Sequence, residues 1–404
     1  MLDVIKIKKD FPIFNNHQDL IYLDNAATSQ KPQAAIDRIA EFYSSENANV
    51  HRGVYPLSEQ AGEAYDLARQ KVANFIGAKS SQEIIFTKGT TESLNLVAQS
   101  YALENLKIGD EIIVADFEHH SNFLPWQMLG KKTGASLKIL NSDQSGFISQ
   151  KEWQNKLSKK TKIVAIAHAS NVLGTINDLK KIADMVHSVG AVLVVDGAQA
   201  IPHLQVNVQD LDCDFYAFSG HKMLGPMGIG VLYVKETILA KMLPYQLGGG
   251  MIESVSMNES IYAPYPEKFE AGTPNVAGAV ALAEAINYLS QIGLAEIRAH
   301  EIKLSKYLLN GLAKIKRIKL LGTADAKERT GLVSFYVDGI HAHDLSDFLA
   351  KNGLALRAGF HCSMPLHQSR NCEATLRASY YLYNSEQDLE FLLSNLEKAI
   401  AYYG

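Results

Sequence analysis

Asp214-Phe215-Tyr216-Ala217-Phe218-Ser219-Gly220-His221-Lys222 reads as a short buried strand that ends in a polar turn. Gly225-Pro226-Met227-Gly228-Ile229-Gly230 then leads into a second apolar run, Val231-Leu232-Tyr233-Val234. Most lysines are solvated loop residues. A lysine held at a strand end beside a serine and a histidine is instead placed for chemistry: desolvated, its ammonium loses a proton and becomes an amine nucleophile towards an aldehyde. The rest of the chain decides between these readings of Lys222.

Outward from this stretch, short apolar runs alternate with amphipathic segments. Strands are expected at 83–87, 111–115, 137–140, 162–167, 191–195, 214–218 and 229–233. Helices are expected from near Thr90, Pro125, Asn177 and Thr237, and an earlier one from Pro56 to Ile76. This alternation predicts an α/β fold with a largely parallel sheet covered on both faces. At 404 residues the chain exceeds one ordinary core. The expected division is an N-terminal segment, 1–20, packing on the C-terminal unit, then a large domain, 21–294, and a smaller α+β domain, 295–404. The smaller domain is expected to hold strands near 331–337, 353–357 and 374–381, with helices near 343–351 and 385–401.

Conspicuous polar groups follow five of the predicted strands: Gly89-Thr90-Thr91-Glu92, Glu118-His119-His120, His168-Ala169-Ser170-Asn171, Asp196-Gly197-Ala198-Gln199 and Ser219 to Lys222. In an open parallel sheet those strand ends face one side, and ligands bind there. Any one group is explained by capping or loop decoration; five in succession are not. Together the residue types suit one cofactor, pyridoxal phosphate. Lys222 bonds its aldehyde, and Asp196 pairs with the protonated pyridine nitrogen. Thr90 and Thr91, between strand and helix, offer hydroxyls and free N–H groups to the phosphate, with Ser219 and His221 as further donors. Gln199 and Asn171 are candidates for the ring hydroxyl oxygen. His119 is placed to stack on the ring and shuttle protons. The turn Asp24-Asn25-Ala26-Ala27-Thr28 is small enough for a ligand to approach its backbone, which places Ala27 near the substrate.

Composition excludes other classes. A net charge of −4, without basic blocks interleaved with aromatics, argues against nucleic-acid or anionic-membrane binding. No apolar run approaches a membrane span, and the first residues lack a signal-peptide core. Three cysteines, Cys213, Cys362 and Cys372, fit a reducing cytoplasm. No CxxC or HExxH pattern is present, so no intrinsic metal site is expected.

Taken in order, Tyr22-Leu23-Asp24-Asn25-Ala26-Ala27, Gly89 to Glu92, Glu118-His119-His120, Ser170-Asn171-Val172-Leu173-Gly174, Asp196 to Gln199, Ser219 to Lys222, Phe269-Glu270-Ala271-Gly272-Thr273-Pro274 and Arg357-Ala358-Gly359-Phe360-His361-Cys362 resemble the class V, fold-type I pyridoxal-phosphate enzymes. More narrowly the chain resembles group II cysteine desulfurases of the SufS type, a family that includes selenocysteine lyases. The resemblance implies L-cysteine as substrate, alanine as product, a persulfide on Cys362 and sulfur supply to iron–sulfur cluster assembly. An aminotransferase or epimerase of the same class would not need Cys362. Arg377 is the candidate clamp for the substrate carboxylate, since a guanidinium fork matches it bidentately, and an internal salt bridge is the alternative. A thiol of ordinary pKa ~8.5 needs positive charge to become a thiolate; Arg357 and His119 are the candidates. The resemblance further implies a homodimer in which His51, Arg52 and Thr273 reach the neighbouring subunit's site, Thr273 at the phosphate. It also implies a sulfur-acceptor protein, SufU-type rather than SufE-type, docking at His343, although a capping role for His343 is the simpler alternative. Phe360 departs from the group, which often has a second histidine there, and Leu376 stands where a smaller residue is expected.

Overall fold

A computed structural model describes residues 2–50 and 53–404. Seven strands form its principal sheet: β1 Ile84–Thr87, β2 Glu111–Ala115, β3 Ser136–Leu140, β4 Thr161–Ala167, β5 Val192–Asp196, β6 Phe215–Ser219 and β7 Gly230–Val234. Their spatial order is β1-β7-β6-β5-β4-β2-β3. Pairings from β3 across to β6 are parallel, and β7 runs antiparallel to both its neighbours. The central strands are buried along nearly their whole length, as their unbroken Val, Ile, Leu and Ala content requires when helices cover both faces. All seven expected strands form, displaced by a residue or so.

The antiparallel return of β7 explains the glycines after Lys222. At Gly230 a Cβ would stand 2.3 Å from the Gly89 Cα, so only glycine lets β7 pass the start of the Thr90–Val97 helix. The loop bearing Lys222 and the loop bearing Thr90 are thereby held side by side.

A second, antiparallel sheet forms from β8 Ile318–Leu321, β9 Leu332–Val337, β10 Arg357–Gly359 and β11 Thr375–Ser379, in the order β8-β9-β11-β10. Helices Leu294–Leu312, Ala342–Lys351 and Glu386–Tyr403 share its core, the last begun by a capping box between Ser385 and Asp388. The expected strand at 353–357 is split. Leu354–Ala355 pairs in parallel with Ile21–Tyr22, while Arg357–Gly359 joins β11. Leu23 consequently lies in the core of this sheet. β8 has no counterpart in the sequence reading, and the polar segment after residue 250 folds as a hairpin of Ile252–Val255 and Ser260–Tyr262. Two short helices, Val4–Lys9 and Pro12–Asn16, open the chain. Phe11 between them packs on both Tyr288 and Tyr383, so the segment touches the helix before the second sheet as well as the C-terminal part.

Candidate active site

The carboxyl ends of β1, β2, β4, β5 and β6 and the facing edge of the second sheet enclose a cavity of about 240 Å3. Lys222 reaches it from a tight turn, Gly220–Lys222, anchored by the Gly220 N–H donating to Ile229 O at 2.9 Å. Burial pushes the Lys222 pKa down to about 8; Asp196 opposes the shift, while Arg377 and Arg357 add to it. Asp196, the last residue of β5, is buried on the same wall. It accepts the Ala198 N–H at 3.0 Å and forms no ion pair among the described residues. Burial raises its pKa, and Lys222 pulls it back.

Thr90 begins its helix at the cavity, where the first N–H groups lack intrahelical acceptors. Its own N–H donates to Ser219 Oγ at 2.8 Å, and the two hydroxyls lie 2.7 Å apart. The Thr91 hydroxyl is 2.8 Å from that of Ser121, a cavity residue the sequence did not single out. His221 lines the same end with a buried Nδ1 that has no partner among the described residues. Its carbonyl accepts from Ser29 N–H at 3.0 Å, Thr28 Oγ1 at 3.0 Å and Lys31 Nζ at 2.8 Å, all from a turn where only Ala27 had been expected to matter. Ala27 does line the cavity.

His119 lies in the cavity wall with Nδ1 accepting the Ser121 N–H at 3.1 Å. The neutral ring therefore carries its proton on Nε2. Burial, aided by Lys222, His120, Arg377 and Arg357, pushes its pKa down to about 3. The expectation that His119 supplies positive charge to Cys362 is corrected accordingly: it is a neutral donor.

Arg377 is buried and already engaged. It donates to Asn171 O at 2.9 Å and to Asp24 at 3.2 Å, with Nε buried and without a partner among the described residues. The salt-bridge alternative is thus present, although the partner comes from residue 24 rather than from the C-terminal part. Arg357 is exposed and lies directly across from Arg377 in the β10–β11 pairing, which sets two guanidinium groups side by side at the cavity. Asn171 spends its amide on His361 O at 2.6 Å, and Gln199 donates to Ala26 O at 2.7 Å. Each of these bonds uses one of the two N–H groups of its amide.

Cys362 is exposed at the cavity, whereas Cys213 and Cys372 are buried. His361 and Cys362 both adopt left-handed backbone, with φ of +49° and +57°. For residues with a side chain this conformation costs roughly 1–3 kcal/mol each and persists only where neighbours hold it. Gly359, with φ of +122°, makes the preceding bend possible.

The residues expected to serve the neighbouring subunit's site do not line this cavity or lie outside the described residues. Thr273 is exposed and lines a different pocket with Lys88 and Gly228. His51 and Arg52 lie outside the described residues. His343 is exposed in the first turn of its helix, its Nε2 4.0 Å from where a Cβ on Gly359 would stand.

The cavity offers an unpaired buried carboxylate opposite a deprotonatable lysine, and an unpartnered histidine nitrogen beside a helix start. That set fits a group with a cationic ring nitrogen, an aldehyde and a phosphate. Residues 21–392 match the family described as Aminotransferase class-V. The chain belongs to that family. Within this class-V family, the cysteine desulfurase of Haloferax volcanii is 44% identical over 414 residues, covering 98% of this chain and 97% of that one. The apo cysteine desulfurase of Thermococcus onnurineus superposes with a TM-score of 0.95 at 40% identity, over 99% of this chain and 98% of that chain. The cysteine desulfurase CsdA of Escherichia coli gives 0.92 at 36% identity, over 100% of both chains. Among the described residues no helix is long and apolar enough to cross a membrane.

Proposed function

We infer that the protein is a pyridoxal-phosphate-dependent cysteine desulfurase, which moves sulfur from L-cysteine to Cys362 and releases L-alanine. The placement of Lys222, Asp196 and Cys362 on one cavity carries this reading. Its relatives named cysteine desulfurase, matched over nearly their full length, support it. When bound, pyridoxal phosphate supplies an aldehyde and a conjugated ring that draws charge from the substrate's Cα and so weakens its Cβ–S bond. Lys222 would hold the group, and its neutral amine would take the proton from the substrate Cα and return one. Asp196 keeps the ring nitrogen protonated. Thr90, Thr91, Ser219 and His221 hold the phosphate, and Gln199 buttresses the Ala26–Ala27 backbone against the site. Arg377, with Arg357 beside it, receives the substrate carboxylate, and Asn171 fixes the Arg377 guanidinium through its carbonyl. His119 offers its Nε2 proton. The Cys362 thiolate attacks the substrate sulfur as the Cβ–S bond breaks. The net change is cysteine plus a thiol giving alanine plus a persulfide.

The deciding experiment is an anaerobic assay of alanine and reductant-released sulfide from L-cysteine. Lys222→Ala is expected to abolish both, and Cys362→Ser to lose sulfide by at least a hundredfold. Undiminished sulfide from the serine variant would sink the persulfide step.

The division into domains at 21–294 and 295–404 belongs to the same proposal, as does a cytoplasmic homodimer. The dimer reading is motivated by the exposed apolar side chains of Leu243, Leu247, Val255, Met257 and Ile261, and by a Thr273 turned away from its own cavity. In a dimer Thr273, His51 and Arg52 would complete the partner's site. The sulfur serves iron–sulfur cluster assembly. A SufU-type, zinc-bearing acceptor docks at His343, whose exposed ring stands over Gly359 three residues before Cys362. His343→Ala should remove acceptor-stimulated turnover and spare the basal rate; unchanged stimulation counts against this docking site.

A further inference from the structure

The left-handed turn at Cys362 is held by a closed polar loop that the mechanism above does not use. His367, on the short helix Met364–Ser369, faces Ser363 O with Nδ1 at 3.0 Å. A carbonyl only accepts, so Nδ1 carries the proton and Nε2 is an acceptor. That Nε2 lies 3.1 Å from Thr375 Oγ1, which must donate to it. Thr375 Oγ1 in turn lies 2.9 Å from His361 Nε2, and the Thr375 carbonyl lies 3.1 Å from the same atom. His361 therefore donates from Nε2. All three side chains are buried, and burial pushes both imidazoles towards the neutral form that this assignment requires. Phe360 closes the loop from outside, its ring perpendicular to His367 at 5.5 Å.

The hydrogen bonds run from the side chain of residue 361 through Thr375 and His367 to the carbonyl of residue 363, bracketing Cys362. Other groups pin the same backbone: Asn171 donates to His361 O, and the His120 N–H to Cys362 O at 2.7 Å. We propose that His361, Thr375 and His367 are positioning residues that fix Cys362 in its left-handed conformation and so keep its thiol facing the cations of the cavity. This deepens the reading of Cys362 as the sulfur-accepting nucleophile, on which its functional meaning rests. Phe360 is thereby explained as the lid of a relay that has His367, rather than a residue at 360, as its second imidazole.

The test is alkylation of the full-length holoenzyme by iodoacetamide between pH 6 and 9, followed at each cysteine by peptide mass spectrometry. Thr375→Val and His367→Leu are expected to slow alkylation of Cys362 at pH 7 about tenfold, because the released thiol leaves the cationic wall. Cys213, fully buried in the main core, should stay protected. His361→Gln keeps a donor near the Nε2 position and should behave like the wild type, whereas His361→Leu should resemble Thr375→Val. Wild-type rates in Thr375→Val and His367→Leu overturn the proposal. So does alkylation of Cys213 in them, which would mean that the loop holds the fold and not the turn. Alkylation needs no substrate. If these expectations are met but wild-type protein forms no persulfide from cysteine, the desulfurase reading fails while the positioning claim stands.

Discussion

At Lys222 the energetic consequence of burial has a definite sign. An ordinary lysine titrates at 10.5, and this one at about 8, so between those values the unfolded chain binds more protons than the folded one. The charged form is penalised below pH 8, and the penalty fades as pH rises from 8 to 10.5. In cofactor-free protein Lys222→Met should therefore be more stable than wild type at pH 7 by about 3 kcal/mol, with the gap closing as pH rises from 8 to 10.5. Urea unfolding at several pH values measures it; a gap that widens with pH contradicts the assignment. The same shift leaves roughly a tenth of the amine neutral at pH 7, enough to react with an aldehyde. Asp196 poses the complementary case, a buried acid that forms no ion pair among the described residues and feels Lys222 only at a distance. Asp196→Asn should retain the bound group but lower the rate of Cα deprotonation at least a hundredfold, read as exchange of the Cα hydrogen of cysteine or alanine in D2O. Unchanged exchange would remove Asp196 from its ring-nitrogen role.

At the scale of elements, the principal sheet was legible because a strand buried on both faces must be largely apolar, and the central strands are such runs separated by helices. Parallel topology then made Thr90, His119, Asn171, Asp196 and Lys222 legible as neighbours, since their strands end on one side. β8 was missed because Ile318–Leu321 is short and only partly buried, with Lys319 exposed, so its pattern resembles a loop. The split at 354–359 was missed because its two halves choose partners more than 300 residues apart and about 20 residues away respectively. Glycine packing at the β1–β7 crossing gives a direct prediction. Gly230→Ala places a methyl group 2.3 Å from the Gly89 Cα, which neither strand can yield without moving the Thr90 loop. The expected cost is about 1–3 kcal/mol of stability, together with loss of pyridoxal phosphate on dialysis. Retention equal to wild type would show that the two loops move independently.

Across the whole molecule, what the sequence did not disclose is how the second sheet grips the loops of the first. Side chains that bond to distant backbone carbonyls leave no periodicity and no motif. Arg329 has no exposed surface and no acidic partner among the described residues. It donates to Leu332 O at 3.1 Å, to Leu173 O at 3.1 Å and to Thr323 O. Around it Thr330 N–H donates to Gly174 O, Ile176 N–H to Glu328 O and Ser334 Oγ to Val172 O at 2.6 Å. The loop bearing Asn171 is thus built into the segment 322–334, and Asn171 in turn holds both Arg377 and the His361 carbonyl. Removing the guanidinium leaves three buried acceptors without their donor, each worth about 1–3 kcal/mol when unpaired. Arg329→Met should therefore release this loop before the core of β4 to β6 opens. Hydrogen exchange should quicken at least tenfold in peptides spanning 170–176 and 323–332, with the central strands unchanged, and the KM for cysteine should rise because Arg377 loses its register. Uniform acceleration across the chain would instead assign Arg329 to global stability, and no acceleration would break the chain of contacts from the second sheet to the substrate site.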